Sequence, residues 1–71
     1  MGRFSATKAS RVLAALERIG WRVKRKSTSG SHRVLARDGW EDYCWSFHDV
    51  EIGPRMLARI AKKTGLEPED L

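Results

Sequence analysis

The first third of the chain spaces its apolar residues as an α-helix does. They recur at intervals of three and four residues, which places them on one helix face: Ala9, Val12, Leu13, Leu16 and Ile19. We predict a helix that begins near Ser5 or Thr7, because either hydroxyl can cap the first exposed N–H groups. Gly20 follows the last apolar residue and permits the left-handed turn that ends many helices.

The next part of the chain predicts three strands. The first is Trp21–Arg25, in which apolar and polar residues alternate. Residues 26–31 contain no apolar side chain and predict a loop, and residues 32–37 predict the second strand. Asp38-Gly39 is typical of a two-residue hairpin turn, so residues 40–47 are the expected return strand.

A two-residue turn fixes which residues of the hairpin share a face. It places Val34 opposite Tyr43 and His32 opposite Trp45. One face is then apolar: Val34, Ala36, Tyr43, Trp45 and Phe47. The other face is predicted to be in water: Arg33, Arg37, Asp42 and Cys44. His32 is expected on the apolar side, at the rim of the core.

A second helix is predicted to begin at Pro54, since proline is favoured in the first turn, and to end at Gly65. Its expected core-facing residues are apolar: Met56, Leu57, Ile60 and Ala61. The order helix, three antiparallel strands, helix predicts an α+β fold with both helices on one sheet face. We expect one domain covering residues 1–71.

The charge of the chain is divided unevenly. Fourteen Lys and Arg against nine Asp and Glu give a net charge of +5. Residues 1–37 contain ten Lys and Arg and one Glu, a net +9, whereas residues 38–71 contain four and eight, a net −4. The basic half predicts a surface that binds a polyanion, and the alternative is charge that serves only solubility.

Several classes of function are disfavoured by the residues present. Cys44 is the single cysteine, which excludes an internal disulfide and favours the reducing cytoplasm. One cysteine and two histidines argue against a four-ligand zinc site, and we expect neither metal nor cofactor. The apolar runs are too short to span a membrane.

The basic segment around the predicted loop is the best candidate site. Its candidate phosphate-binding residues are Lys24, Arg25, Lys26, Gly30, Ser31 and Arg33. His32 lies among them, and a histidine side chain can transfer protons near neutral pH. RNA supplies its own nucleophile, the 2′-OH, so a ribonuclease needs little more than these groups. The alternative is an ordinary histidine at the start of a strand.

Other candidates are weaker. Trp40, beside the turn, is the one tryptophan we consider for base stacking, since Trp21 and Trp45 are expected in the core. His48 is a second acid–base candidate, although a structural role is the simpler interpretation. The cations of the second helix are interpreted as a solvated helix face: Arg55, Arg59, Lys62 and Lys63.

These segments, in this order, resemble the HicA toxins of bacterial HicAB toxin–antitoxin systems, which are small mRNA-cleaving proteins. The resemblance is carried by Gly30-Ser31-His32 after a basic strand, by Trp45–Asp49, by the helix entry Glu51–Ile60 and by Thr64–Leu66. The chain departs from the family pattern at Arg33, where many members have a second histidine, and at Ser46, where proline is common.

The resemblance implies a fold like that of double-stranded-RNA-binding domains and metal-independent endoribonuclease activity that depends on His32. It also implies mRNA as the substrate and a HicB-like antitoxin that covers His32. A non-catalytic RNA-binding module of the same fold, and a protein that binds an acidic partner protein, are the alternative functions.

Overall fold

A computed structural model of the protein describes residues 4–26, 32–46 and 50–71. The elements, in chain order, are β1 (Thr7–Lys8), α1 (Ala9–Arg18), β2 (Arg22–Lys26), β3 (His32–Ala36), β4 (Tyr43–Ser46), β5 (Glu51–Ile52), α2 (Pro54–Thr64) and a 3₁₀ helix (Pro68–Asp70). Strands β2, β3 and β4 form an antiparallel sheet in that order. The predicted α+β order of helix, three-stranded sheet and helix is confirmed.

Both helices pack on the same face of the sheet. Their buried residues form one apolar cluster with side chains of the sheet: Val12 and Leu16 from α1, Leu57 and Ile60 from α2, and Leu35 and Trp45 from β3 and β4. Five of these six side chains are completely shielded from water, and Trp45 is 6% exposed. The opposite face of the sheet, called the outer face below, carries no helix among the described elements.

The start of α1 differs from the prediction. The helix begins at Ala9, and no side chain caps it. The preceding residues pair instead as β1 with β5, and the Ala9 N–H donates a hydrogen bond to the carbonyl oxygen of Val50 at 2.9 Å. This short strand pair therefore replaces a hydroxyl cap, a long-range contact that local sequence does not encode. The predicted limits of α2, from Pro54 to Gly65, are confirmed.

The predicted pairing of β3 with β4 is wrong by one residue. The structure pairs His32 with Ser46, Val34 with Cys44 and Leu35 with Tyr43. A two-residue type I′ turn requires positive φ at both central residues, but among the described residues only glycines have positive φ. Gly39 has φ of 85° and Asp38 does not join it, so the connection spans residues 37–42.

Because of this one-residue shift in register, the residues of β3 lie on the sheet face opposite to the one predicted, whereas the residues of β4 lie on the predicted face. Tyr43 and Trp45 face the helices and Cys44 is exposed, as predicted. Leu35 replaces Val34 in the core. His32, predicted at the rim of the core, is instead exposed on the outer face.

Trp40 is a packing residue as well as a surface one. It is 42% exposed, and its ring makes a T-shaped contact with the ring of Trp21, with centroids 5.9 Å apart. The Arg37 guanidinium lies over the Trp40 ring at 5.2 Å, which explains why Arg37 is half-buried rather than in water as predicted. Trp21 is anchored by its Nε1–H, which donates to the carbonyl oxygen of Thr64 at 3.0 Å. These contacts leave Trp40 a poor candidate for base stacking.

Gly65 is required where Trp40 closes over the end of α2. Its φ is 76°, and a Cβ placed there would lie 2.9 Å from the Cη2 atom of Trp40. We expect Gly65→Ala to lower the free energy of unfolding by about 1–3 kcal/mol, measured by urea denaturation. Gly53→Ala is the control, because a Cβ at that position meets nothing within 4 Å. Equal stability of both variants would contradict this packing.

Candidate nucleic-acid interface

A bulge in β2 determines which basic side chains reach the outer face. Arg22 pairs with Ala36 and Val23 with Leu35, but the next pair is Arg25 with Val34, so Lys24 is an extra residue. Opposed residues share a sheet face, and Val34 is on the outer face. The bulge therefore places Arg25 on the outer face, where strict alternation would have placed it with Val23 toward the helices.

Three cations of β2 are exposed: Arg22, Lys24 and Arg25. Lys24 forms an ion pair with Asp42 at 2.8 Å, and Arg22 lies 4.0 Å from Asp38. Arg25 has no ion-pair partner within the described ranges of the chain. Exposed ion pairs contribute little to the stability of a protein. A phosphate group that approaches this face can therefore replace the carboxylate of Asp42 or Asp38 as the partner of the cation. The outer face is thus a cationic surface with two acidic residues at its turn-proximal end.

His32 lies on this surface, at the start of β3. Its cross-strand partner in β4 is Ser46, and its side chain is exposed. Arg25 is opposite Val34, two residues further along β3, and such diagonal neighbours in a sheet are about 7–8 Å apart. A phosphate bound by Arg25 would therefore lie within reach of the imidazole.

The structure separates the residues that sequence grouped around His32. Lys24 and Arg25 share its face, whereas Arg33 lies opposite Trp45, half-buried on the helix-facing side. The prediction that Arg33 faces water is therefore wrong, because the register shift turns it inward. The Lys26 backbone pairs with that of Arg33. Gly30, Ser31, His48 and Phe47 lie outside the described residues.

Two members of the outer face, Arg22 and Cys44, were not among the predicted site residues. Arg22 alternates with Lys24 along β2, a signal that could have been used. Cys44 was expected on the face opposite His32, but the observed register places it on the same face, diagonal to His32. That placement depends on the six-residue connection and was not accessible from sequence.

Other chemistry near the interface is limited. Burial raises the pKa of the Tyr43 phenol above its usual value of 10.0, so this group remains protonated at neutral pH and is not a base. Within residues 4–26, 32–46 and 50–71, no three His, Cys, Asp or Glu side chains are grouped to hold a metal ion. The described helices are also too short and too polar to cross a membrane.

Comparison with known proteins identifies the family. The model of the family described as HicA toxin of bacterial toxin–antitoxin matches residues 9–66, which spans from the start of α1 to just beyond the end of α2. Neither a search of curated proteins nor a search of solved structures returns a match. Since the match covers most of the chain and agrees with the fold, the protein belongs to the HicA toxin family, the toxins of bacterial toxin–antitoxin systems.

Proposed function

We propose that the protein is an endoribonuclease that cleaves mRNA without a metal ion, with His32 as the acid–base catalyst. The observation that carries the proposal is the position of His32, exposed on the outer face near Arg25 and Lys24, with Arg22 further along the same face. Cations next to a histidine are the groups that RNA cleavage requires, because the substrate provides the nucleophile. The site would act in the cytoplasm, the compartment that a single cysteine favours.

The proposed reaction is an internal transfer at one phosphodiester. The 2′-oxygen loses its proton, bonds to the neighbouring phosphorus and displaces the 5′-oxygen, which takes up a proton. The products are a 2′,3′-cyclic phosphate and a 5′-hydroxyl. His32 either accepts the first proton or donates the second. Lys24 and Arg25, together with Lys26, would stabilise the negative charge that develops on the phosphoryl oxygens.

The remaining members of the candidate site have proposed roles in substrate positioning. Gly30 and Ser31 would orient the scissile phosphate through backbone N–H groups and a hydroxyl. Arg33, at the start of β3 on the helix-facing side, would bind an adjoining part of the RNA backbone. His48 is proposed as a second proton carrier, with a structural role as the alternative.

An antitoxin partner follows from the family, and we propose that it is a HicB-like protein that covers His32. The outer face suits this role, since an acidic partner would compete directly with RNA for Arg25 and its neighbours. Inhibition would then need no conformational change in the toxin.

The reaction is tested with a long RNA and its 2′-O-methyl counterpart, each incubated with the protein in EDTA. We expect fragments ending in a 2′,3′-cyclic phosphate from the unmodified RNA, detected by treatment with acid and phosphatase. The 2′-O-methyl RNA should be bound but uncut, because its nucleophile is blocked. Cleavage of both would contradict the mechanism. Binding of both without cleavage would favour the non-catalytic RNA-binding module.

A further inference from the structure

The outward side of α2 carries a second cationic surface, here called the α2 stripe. Its members are Arg55, Arg59, Lys62 and Lys63, all exposed. At about 100° per residue they fall within an arc of about 100°, on the side opposite the buried Leu57 and Ile60. With a rise of about 1.5 Å per residue, the stripe is about 12 Å long.

Repulsion between the cations of the α2 stripe lowers the stability of helix α2. Arg59 is four residues from both Arg55 and Lys63 and three from Lys62, and like charges at these spacings repel. Helix α2 contains no acidic residue, and none of the four cations forms an ion pair in the described parts of the chain. The helix dipole opposes Arg55 in the first turn, although it favours Lys62 and Lys63 in the last turn. The repulsion centred on Arg59 is the part of the cost that a bound polyanion would offset.

The chemistry of the stripe favours a phosphate backbone over a protein. The centres of protein–protein interfaces are depleted in lysine and enriched in aromatic residues. The arc of the α2 stripe contains four cations and no apolar side chain, and Met56 lies at its edge, 49% exposed. Evenly spaced cations without apolar contacts are typical of surfaces that bind nucleic-acid backbones independently of sequence.

We propose that the α2 stripe binds the phosphate backbone of RNA at a second site, separate from the outer face of the sheet. The two surfaces point in opposite directions, because α2 packs on the sheet face that lies away from His32. RNA held by the stripe is therefore a different segment from the one at His32. This role rests on the proposed function: the protein would engage a folded or multi-segment RNA, with α2 anchoring one segment and the outer face cleaving another.

The test variant is Arg59→Glu, which replaces three repulsive contacts within α2 by attractive ones. Its control is Arg11→Glu, an exposed position on α1 with the same change in net charge. Both are compared with the wild type for binding to a 2′-O-methyl RNA oligonucleotide over a series of salt concentrations, and for melting temperature. This probe has no free 2′-OH, so the result does not depend on cleavage.

We expect Arg59→Glu to bind the RNA about tenfold more weakly than the wild type and to reduce the slope of log affinity against log salt by about 1–2. Its melting temperature should rise by about 2–6 °C, because the repulsion in α2 is removed. Arg11→Glu should keep the wild-type slope. A wild-type slope for Arg59→Glu, or equal loss in both variants, would overturn the proposal. Unchanged RNA binding with weaker binding of the antitoxin would overturn it in favour of a protein partner.

Discussion

Replacing His32 by alanine should abolish RNA cleavage while leaving the fold and the RNA affinity nearly unchanged. His32 is exposed on the outer face and contributes nothing to the buried cluster, so its loss leaves no cavity. A group that transfers a proton in the transition state contributes about 10²–10⁴ to the rate. The single-turnover rate of His32→Ala should therefore fall at least about 100-fold, with an unchanged melting temperature.

Cys44→Ser is the matched control for this substitution. Cys44 is exposed on the same face, diagonal to His32, and the proposed reaction assigns it no role. The variant should cleave RNA at the wild-type rate. Full activity in His32→Ala would remove the histidine from the mechanism. A large fall in its melting temperature would instead identify a structural histidine.

The largest effect on stability in the sheet is expected for Leu35→Ala. Leu35 is 0% exposed and belongs to the core cluster to which both helices contribute. Removing a buried leucine side chain costs about 2–5 kcal/mol, which is a large part of the stability of a small domain. Val34→Ala should cost less than about 1.5 kcal/mol, because Val34 is only half-buried on the outer face.

Urea unfolding of these two variants distinguishes the observed register from the one that the turn signal predicts. In the observed pairing Leu35 faces the helices and Val34 faces away. In the register predicted from Asp38-Gly39, the order of the two effects is reversed. A greater loss of stability in Val34→Ala than in Leu35→Ala would contradict the structure at the strand that carries His32.

The parts of the fold that sequence predicted are those governed by local periodicity. The apolar spacing from Ala9 to Leu16 specifies a helix face, and Gly65 specifies a helix end, without reference to distant residues. The pairing of β3 with β4 depends instead on the length of the connection. Both Val34 and Leu35 are acceptable core residues, so β3 does not itself indicate which alternate set is buried. Only the conformation of residues 37–42 decides it.

The candidate site also combines features that local sequence predicts with features that depend on how the strands pair. Sequence located the segment that contains His32, Lys24 and Arg25, because cations and a histidine are clustered along the chain. Which of its side chains share a face depends on the bulge at Lys24 and on the register of β3. The inward position of Arg33 follows from the register of β3 with β4, and the outward position of Arg25 follows from the bulge. Neither irregularity has a local sequence signature.

We propose above that His32, on the cationic outer face, cleaves RNA without a metal ion, and this claim can be tested in one experiment. The most direct test incubates wild type and His32→Ala with a long RNA in EDTA and resolves the products on a denaturing gel. We predict fragments in the wild-type lane alone, with both proteins equally folded by circular dichroism. Intact RNA in both lanes, or equal cleavage in both, would contradict the claim.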